Sequence, residues 1–332
     1  LENDAIHPLQ IRNLEIVFGN KSKNGFMLIS KLGSHIEVAK PGTSNTYITG
    51  INSIITDGEN GAATTPGNAS TGTVIAYAEG TWDQASHQLG STQAYLNANN
   101  SRASGSTAAA LQGKSSEIDI YVPVILTSKE GIAYLGDNKG MVNAKGTTTT
   151  AVNNASIIGF ARNEGTVNID GNVTALDQNV TDNLLKYQNI AGLAVLDTTA
   201  LPGATAGGTV NIAGNINING MGGLASGAGS IVNLNGTGNI INTGTSGGLA
   251  AVDGGSVNFA GGTLNHSERV AGSGDHDNSS PMYSDSSSRV NFTGATTIDI
   301  SHGVLMPGLA TDYAAATTGT TKYNGMGNVT VN

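Results

Sequence analysis

Residues 266–277 hold the densest group of ionisable side chains in the sequence. His266, Glu268, Arg269, Asp275, His276 and Asp277 fall in one short stretch that also carries Ser and Gly. Carboxylates bind hard divalent cations, and a pair of carboxylates flanking a glycosidic bond carries out its hydrolysis. Asp275-His276-Asp277 would offer its ligands at consecutive positions of a loop, which makes a poor cage. The stretch therefore reads as a solvated acidic loop, and its functional alternative is a contact surface for a partner.

Other chemistries find less support. Ser, His and Asp are all present, but no Gly-x-Ser-x-Gly elbow stands between a strand and a helix. Gly42-Thr43-Ser44 and Ser286–Ser288 read as corner residues. Asp170, Asp253 and Asp299 occupy different places in their repeats, so they form no line of paired acids. The Gly-Gly-x-Gly-x-Asp frame of calcium-binding nonapeptides is missing. Trp82, Tyr95, Tyr77 and Tyr134 are candidates for stacking on sugar rings, and Trp82 and Tyr95 lie in one long polar insertion, 80–115. Filling the core of that insertion is the alternative role for its aromatics. The reading is of a protein that is not an enzyme and needs no metal or cofactor.

The elements that must position these groups come from a repeated phrase, Gly-x-Val-Asn-apolar-x-Gly. Its six copies are anchored on Val142, Val167, Val210, Val232, Val257 and Val290. Glu117–Ile120 and Asn328–Asn332 look like relatives of it, and Gly33–Val38 like a degenerate copy. In a strand alternate side chains face opposite ways, so Val167 and Ile169 point inward while Asn168 points out. The closing Gly marks a corner that tolerates no side chain or needs a positive φ. The row of asparagines, from Asn143 to Asn291, is expected to form a ladder of amides running from copy to copy. A polar strip for a glycan is the functional alternative.

Further short strands flank each phrase. Val173, Ile216–Ile218 and Leu264 follow it, while Ile157–Phe160, Leu249–Val252 and Met282–Tyr283 precede it. Three strands with corners in 22–25 residues make one coil of a parallel β-helix, whose neighbours complete both its ladder and its core. The expected fold is all-β, a parallel β-helix (solenoid) with protruding loop insertions. Residues 1–56 are N-terminal coils or a cap, 57–117 hold coils interrupted by the 80–115 insertion, and 118–332 are the regular coils. A helical repeat is opposed by the abundance of Gly, Thr and Asn, and a sandwich of short strands is the bland alternative.

Composition agrees with a thin, many-cornered solenoid. Glycine accounts for 47 of 332 residues and charged residues for only 12%, too few for a large polar surface around a wide globular core. The net charge of -9 argues against a nucleic-acid or anionic-membrane surface, which needs a basic face. With no cysteine, disulfides and thiolate sites are excluded. No run of 18 apolar residues appears, so no helical membrane insertion is expected of this segment.

At the Gly-x-Val-Asn-apolar-x-Gly copies the chain resembles the surface-exposed passenger domain of type V autotransporters, in particular large bacterial adhesins, fusobacterial ones among them. The likeness covers 118–332 by motif and the first 117 residues by composition. It implies a right-handed parallel β-helix, export to the cell surface through the outer membrane, and a longer parent protein. It also implies attachment to a host or bacterial cell-surface receptor, protein or glycan, with no nucleic-acid partner. A polysaccharide-degrading β-helix and a purely structural stalk are the rival readings. The family shares a scaffold without a common binding motif, so no binding residue carries over. Loop length and residue type instead single out Trp82 and Tyr95, then His266, Glu268, Arg269, Asp275, His276 and Asp277.

Overall fold

A computed structural model describes residues 9–11, 16–18, 26–31, 35–41, 54–56, 74–80, 115–126, 131–152, 156–176, 189–242, 247–266, 280–301 and 323–332. Within them the chain is almost wholly strand, with one 3-10 turn at Met326–Asn328. Every strand pairing is parallel, so neighbouring strands are successive passes of one coil (for example Thr166–Ile169 on Thr209–Ile212). The fold is a parallel β-helix.

Each full coil has three faces. Face 1 is a sheet of ten strands that runs from Leu9–Ile11 through His35–Val38, Glu117–Ile120 and Met141–Ala144 to Tyr323–Asn324. Face 2 starts at Ile16–Phe18 and ends at Val329–Val331, while face 3 starts at Phe26–Lys31 and ends at Met282–Ser284. One continuous strand, Ile216–Ser226, belongs to both and joins them into a single sheet of seventeen strands. At about 4.8 Å per coil the stack is roughly 45 Å long.

The six anchor valines lie in one register column: Val142 pairs with Val167, Val167 with Val210, and so on to Val290. Ile118 and Ile36 extend the column toward the N-terminus, so His35–Val38, from the degenerate copy, and Glu117–Ile120 are true rungs. All six valines are completely buried. The second inward position enlarges along the rod, from Ala144 and Ile169 to Phe259 and Phe292, whose rings meet edge to face at 6.4 Å. The opposing wall adjusts in volume. A Cβ at Gly238 would lie 2.5 Å from the Phe259 ring, while the phenol of fully buried Tyr134 has its hydroxyl on Thr149 Oγ1 at 2.7 Å. Close packing of this kind leaves each rung dependent on the next.

One rung differs from the expected one. Asn328–Asn332 is not a copy of the face-1 phrase: Val329–Val331 pairs with Thr296–Ile300 on face 2. The face-1 rung of that coil is Tyr323–Asn324, on Val290 and Asn291. Strands on two faces share the same inward–outward alternation, so the pattern of a short terminal strand does not reveal which face it serves.

The three corners are built differently. Between faces 1 and 2 the turn is tight because a side chain would strike the backbone of an adjacent coil: a Cβ on Gly171 would lie 1.6 Å from Thr147 O. Between faces 3 and 1 the chain turns through residues of positive φ, such as Asn138-Lys139 and Asn163-Glu164. Stretches 57–73, 127–130, 153–155, 177–188, 243–246, 267–279 and 302–322, outside the described residues, all follow a face-2 strand. Insertions thus concentrate at one corner. The longer exceptions are 42–53, which follows face 1, and 81–114 and 196–207, which follow face 3. The neck of the 81–114 stretch is closed: Ser116 N–H donates to Gly80 O, and Ser116 Oγ to Glu79 O, both at 2.9 Å.

Candidate functional site

From His35–Val38 onward, the face-1 residue that follows the anchor column points away from the coil interior, and in seven coils it is asparagine. From Asn168 onward each amide nitrogen donates to the amide oxygen of the asparagine one rung toward the N-terminus. The distances are 2.7 Å for Asn168 to Asn143, 2.8 Å for Asn211 to Asn168 and 2.7 Å for Asn233 to Asn211. Asn258 to Asn233, Asn291 to Asn258 and Asn324 to Asn291 follow, each at 2.6 Å. All the amides point the same way, so the ladder has a donor end and an acceptor end, and its bonds polarise one another.

The donor end meets carboxylates. Asn143 Nδ2 donates to Asp119 Oδ1 at 2.7 Å and to Glu117 Oε1 at 2.8 Å. A carboxylate only accepts, so it terminates a row of donors where another amide would need a further acceptor. Asp119 and Glu37 occupy the asparagine column in the two preceding coils, and both are buried although they point outward. Around them Lys145 Nζ lies 2.9 Å and His35 Nε2 3.2 Å from Asp119 Oδ2, and Lys40 pairs with Glu37. Lys145 also sits over the Tyr121 ring, 5.6 Å from its centre.

The electrostatics follow from these contacts. Burial pushes the Asp119 carboxyl up, but hydrogen bonds from His35, Asn143 and Lys145 outweigh it and hold the pKa at about 2. The bond to Asp119 raises His35 above its ordinary 6.5; burial opposes this, and the Glu117, Asp119 and Glu37 charges reinforce it. Burial lowers Lys145, yet Asp119 carries it above the ordinary lysine value.

What the cluster can do chemically is limited by how fully it is satisfied. Ligand atoms of His35, Glu117 and Asp119 lie within 4.8 Å of one another, the one such group found among the described residues. A cation there would compete with the Lys145 ammonium and with the amide already bonded to both carboxylates. An acid held at about pKa 2 is also far from the neutral range in which a general acid or base works. The arrangement is a charge-compensated terminus for the ladder.

A second charged row lines the edge of face 3, where Lys31, Glu79, Asp137 and Arg162 stack in register. Arg162 bridges two acids, with Nε at 3.1 Å from Asp137 Oδ1 and Nη1 at 3.4 Å from Asp197 Oδ2. Arg162 thus ties three coils together.

Of the residues singled out by the sequence, Trp82, Tyr95, Glu268, Arg269, Asp275, His276 and Asp277 lie outside the described residues. His266 is placed: it ends strand Gly262–His266, stacked between Asn242 and Ile300. It is buried, and burial lowers its pKa, which keeps the ring neutral at pH 7. An open groove of about 370 Å³ borders it, lined also by Asn265, Asp299, Ile300, Ser301 and Asn332. Tyr77 and Tyr134 are both buried and present no aromatic face to solvent. Ser286–Ser288 belong to a turn in which the Asp285 carboxylate accepts from Ser287 N at 2.9 Å and Ser287 Oγ at 2.8 Å.

Sequence reasoning missed His35, Glu37, Asp119 and Lys145 as a group. The signal was present: in HIEV and EIDI a carboxylate stands where the later copies have asparagine. No protein-family model, curated protein or solved structure matches the chain.

Proposed function

We propose that this chain is a non-enzymatic segment of an autotransporter adhesin. It is displayed at the cell surface and mediates cell–cell or host attachment through loops carried on a β-helical stalk. The observation that carries this reading is the separation between stack and insertions. The hydrogen-bond ladders run through every coil, while the 81–114 insertion leaves and rejoins at a neck closed by Ser116. A scaffold of this kind holds loops of any sequence at fixed spacing without altering its core. No helix among the described residues is long and apolar enough to cross a membrane, in keeping with a stalk that lies outside one. The absence of cysteine suits export as an unlocked chain. The receptor is a protein or glycan of another bacterial or host cell, bound first through the 80–115 insertion with Trp82 and Tyr95, then through residues 266–280.

The polysaccharide-degrading alternative draws on Glu37, Glu117 and Asp119, three acids on adjacent coils. Against it, Glu37 and Asp119 are buried and committed to Lys40, His35, Asn143 and Lys145. Deleting 82–112 separates the readings. The adhesin reading expects the far-UV strand signal to persist while attachment to cells drops several-fold. Unchanged attachment removes the insertion as the contact, and release of reducing sugar ends from a polysaccharide favours the enzyme.

A further inference from the structure

An asparagine followed by glycine is the pair on a protein chain most open to attack by its own backbone. Glycine carries no Cβ, so its nitrogen can reach the asparagine side chain. That nitrogen attacks Cγ, a new C–N bond forms, and the bond to the side-chain nitrogen breaks with release of ammonia. Water then opens the cyclic imide to aspartate or isoaspartate. The step needs no co-reactant except water. In a folded chain it is fastest where the side-chain amide is free to turn and the glycine N–H is not held in a hydrogen bond.

The sequence contains five such pairs, of which Asn24-Gly25 and Asn60-Gly61 lie outside the described residues. Two of the others are held. Asn219-Gly220 runs inside strand Ile216–Ser226, where Gly220 pairs with Asn189 and Asn219 O accepts from Asn189 Nδ2 at 3.4 Å. In Asn324-Gly325 the amide belongs to the face-1 ladder and donates to Asn291 Oδ1 at 2.6 Å.

Asn235-Gly236 is not held in this way. It turns the corner between faces 1 and 2, and Asn235 is exposed. The residues that follow Ile212 and Phe259 on the neighbouring rungs are Ala213 and Ala260, so no amide stands above or below Asn235. Neither the Asn235 side chain nor the Gly236 N–H has a hydrogen-bond partner among the described residues. The corner also accepts the product. Two coils earlier the same column holds exposed Asp170, again followed by a glycine, Gly171. Isoaspartate would fit less well, because it lengthens the main chain beside Gly236, where even a Cβ would lie 2.1 Å from Gly214 O.

We propose that Asn235 is a site of spontaneous deamidation in the folded protein, which adds a carboxylate to the corner between faces 1 and 2 as the protein ages. This inference does not depend on the adhesin reading.

The test incubates the full chain in warm, mildly alkaline buffer and follows each pair by peptide mapping with mass spectrometry. In the folded chain Asn235 should convert at least about tenfold faster than Asn219 and Asn324, whose surroundings must open first. In concentrated urea the three rates should come together, since each is then set by the same Asn-Gly pair. Ala213→Asn gives Asn235 an amide neighbour of the kind found in the ladder and should slow its conversion several-fold. An Asn235 that stays intact in the folded chain overturns the proposal. Equal rates at the three sites in the folded chain, or a rate at Asn235 unmoved by Ala213→Asn, would overturn it too.

Discussion

Asn233 on face 1 and Phe160 on face 3 both point away from the interior of the same coiled stack, and their surroundings are opposite. Asn233 donates to Asn211 at 2.7 Å, accepts from Asn258 at 2.6 Å, and remains partly open to water. Phe160 belongs to an apolar row and has no exposure. Face 1 completes its outer surface from its own residues, since each amide finds its partner in the adjacent rung. Face 3 does not, because apolar side chains on both sides of a sheet need a second layer. A regular solenoid can thus hold a self-sufficient wall beside a wall that needs a further layer. The corner that collects most insertions is the one leading into the dependent wall.

The comparison breaks most visibly under charge. Phe160→Asp places a carboxylate in an apolar layer and should cost about 3 kcal/mol or more. Asn233→Ala removes two neutral amide bonds from a partly wetted row and should cost about 1–2 kcal/mol. Urea titration of both variants with matched m-values checks the order. Equal losses would mean that the outer side of face 3 is no better covered than that of face 1.

The smallest expected effect sharpens the account of the ladder's charged end. His35 has a raised pKa in the folded state, so its contribution is complete below 6.5 and is lost as pH rises through the folded value. Asp119, held at about 2, contributes above its ordinary 3.8 and loses that contribution as pH falls toward 2. Between pH 6 and 9 stability should therefore fall by about 1 kcal/mol or less. In His35→Gln the decline over that window should flatten, as read by thermal melts at matched ionic strength. A decline that persists unchanged in His35→Gln would place its origin elsewhere.

Much of face 1 was legible in the sequence because the phrase carries its own register. Val and Asn alternate, and a strand shifted by one residue would bury the amides. Even the degenerate copies at Gly33–Val38 and Glu117–Ile120 could be placed. The outer stripe of face 3 was not legible. Ile157-Ile158-Gly159-Phe160 reads as a continuous apolar run, and only the two inward residues in succession show that both sides of the sheet are apolar. The recurring Gly-Leu-Ala also misleads. Leu193 and Leu224 face outward, whereas Leu249 pairs with Gly223 and faces in, a shift of one residue that ends the row of leucines. The charged cluster stayed hidden because its members come from 35–40 and 117–145, which become neighbours only after the 81–114 insertion is bypassed.

A stalk that displays loops at fixed spacing requires the coils to stack in this register, and a disulfide between outward positions tests that stacking directly. Thr166 and Thr209 are 43 residues apart in the chain and partners on neighbouring rungs. Their Cα atoms should be about 4.8 Å apart, within reach of a disulfide. Thr166 and Ile231 are two rungs apart, about 9.6 Å and beyond that reach. Mild oxidation should close the Thr166→Cys/Thr209→Cys pair nearly completely within one chain and leave Thr166→Cys/Ile231→Cys open. Failure of the first pair to close, or equal closure of both, would contradict the stacked coil.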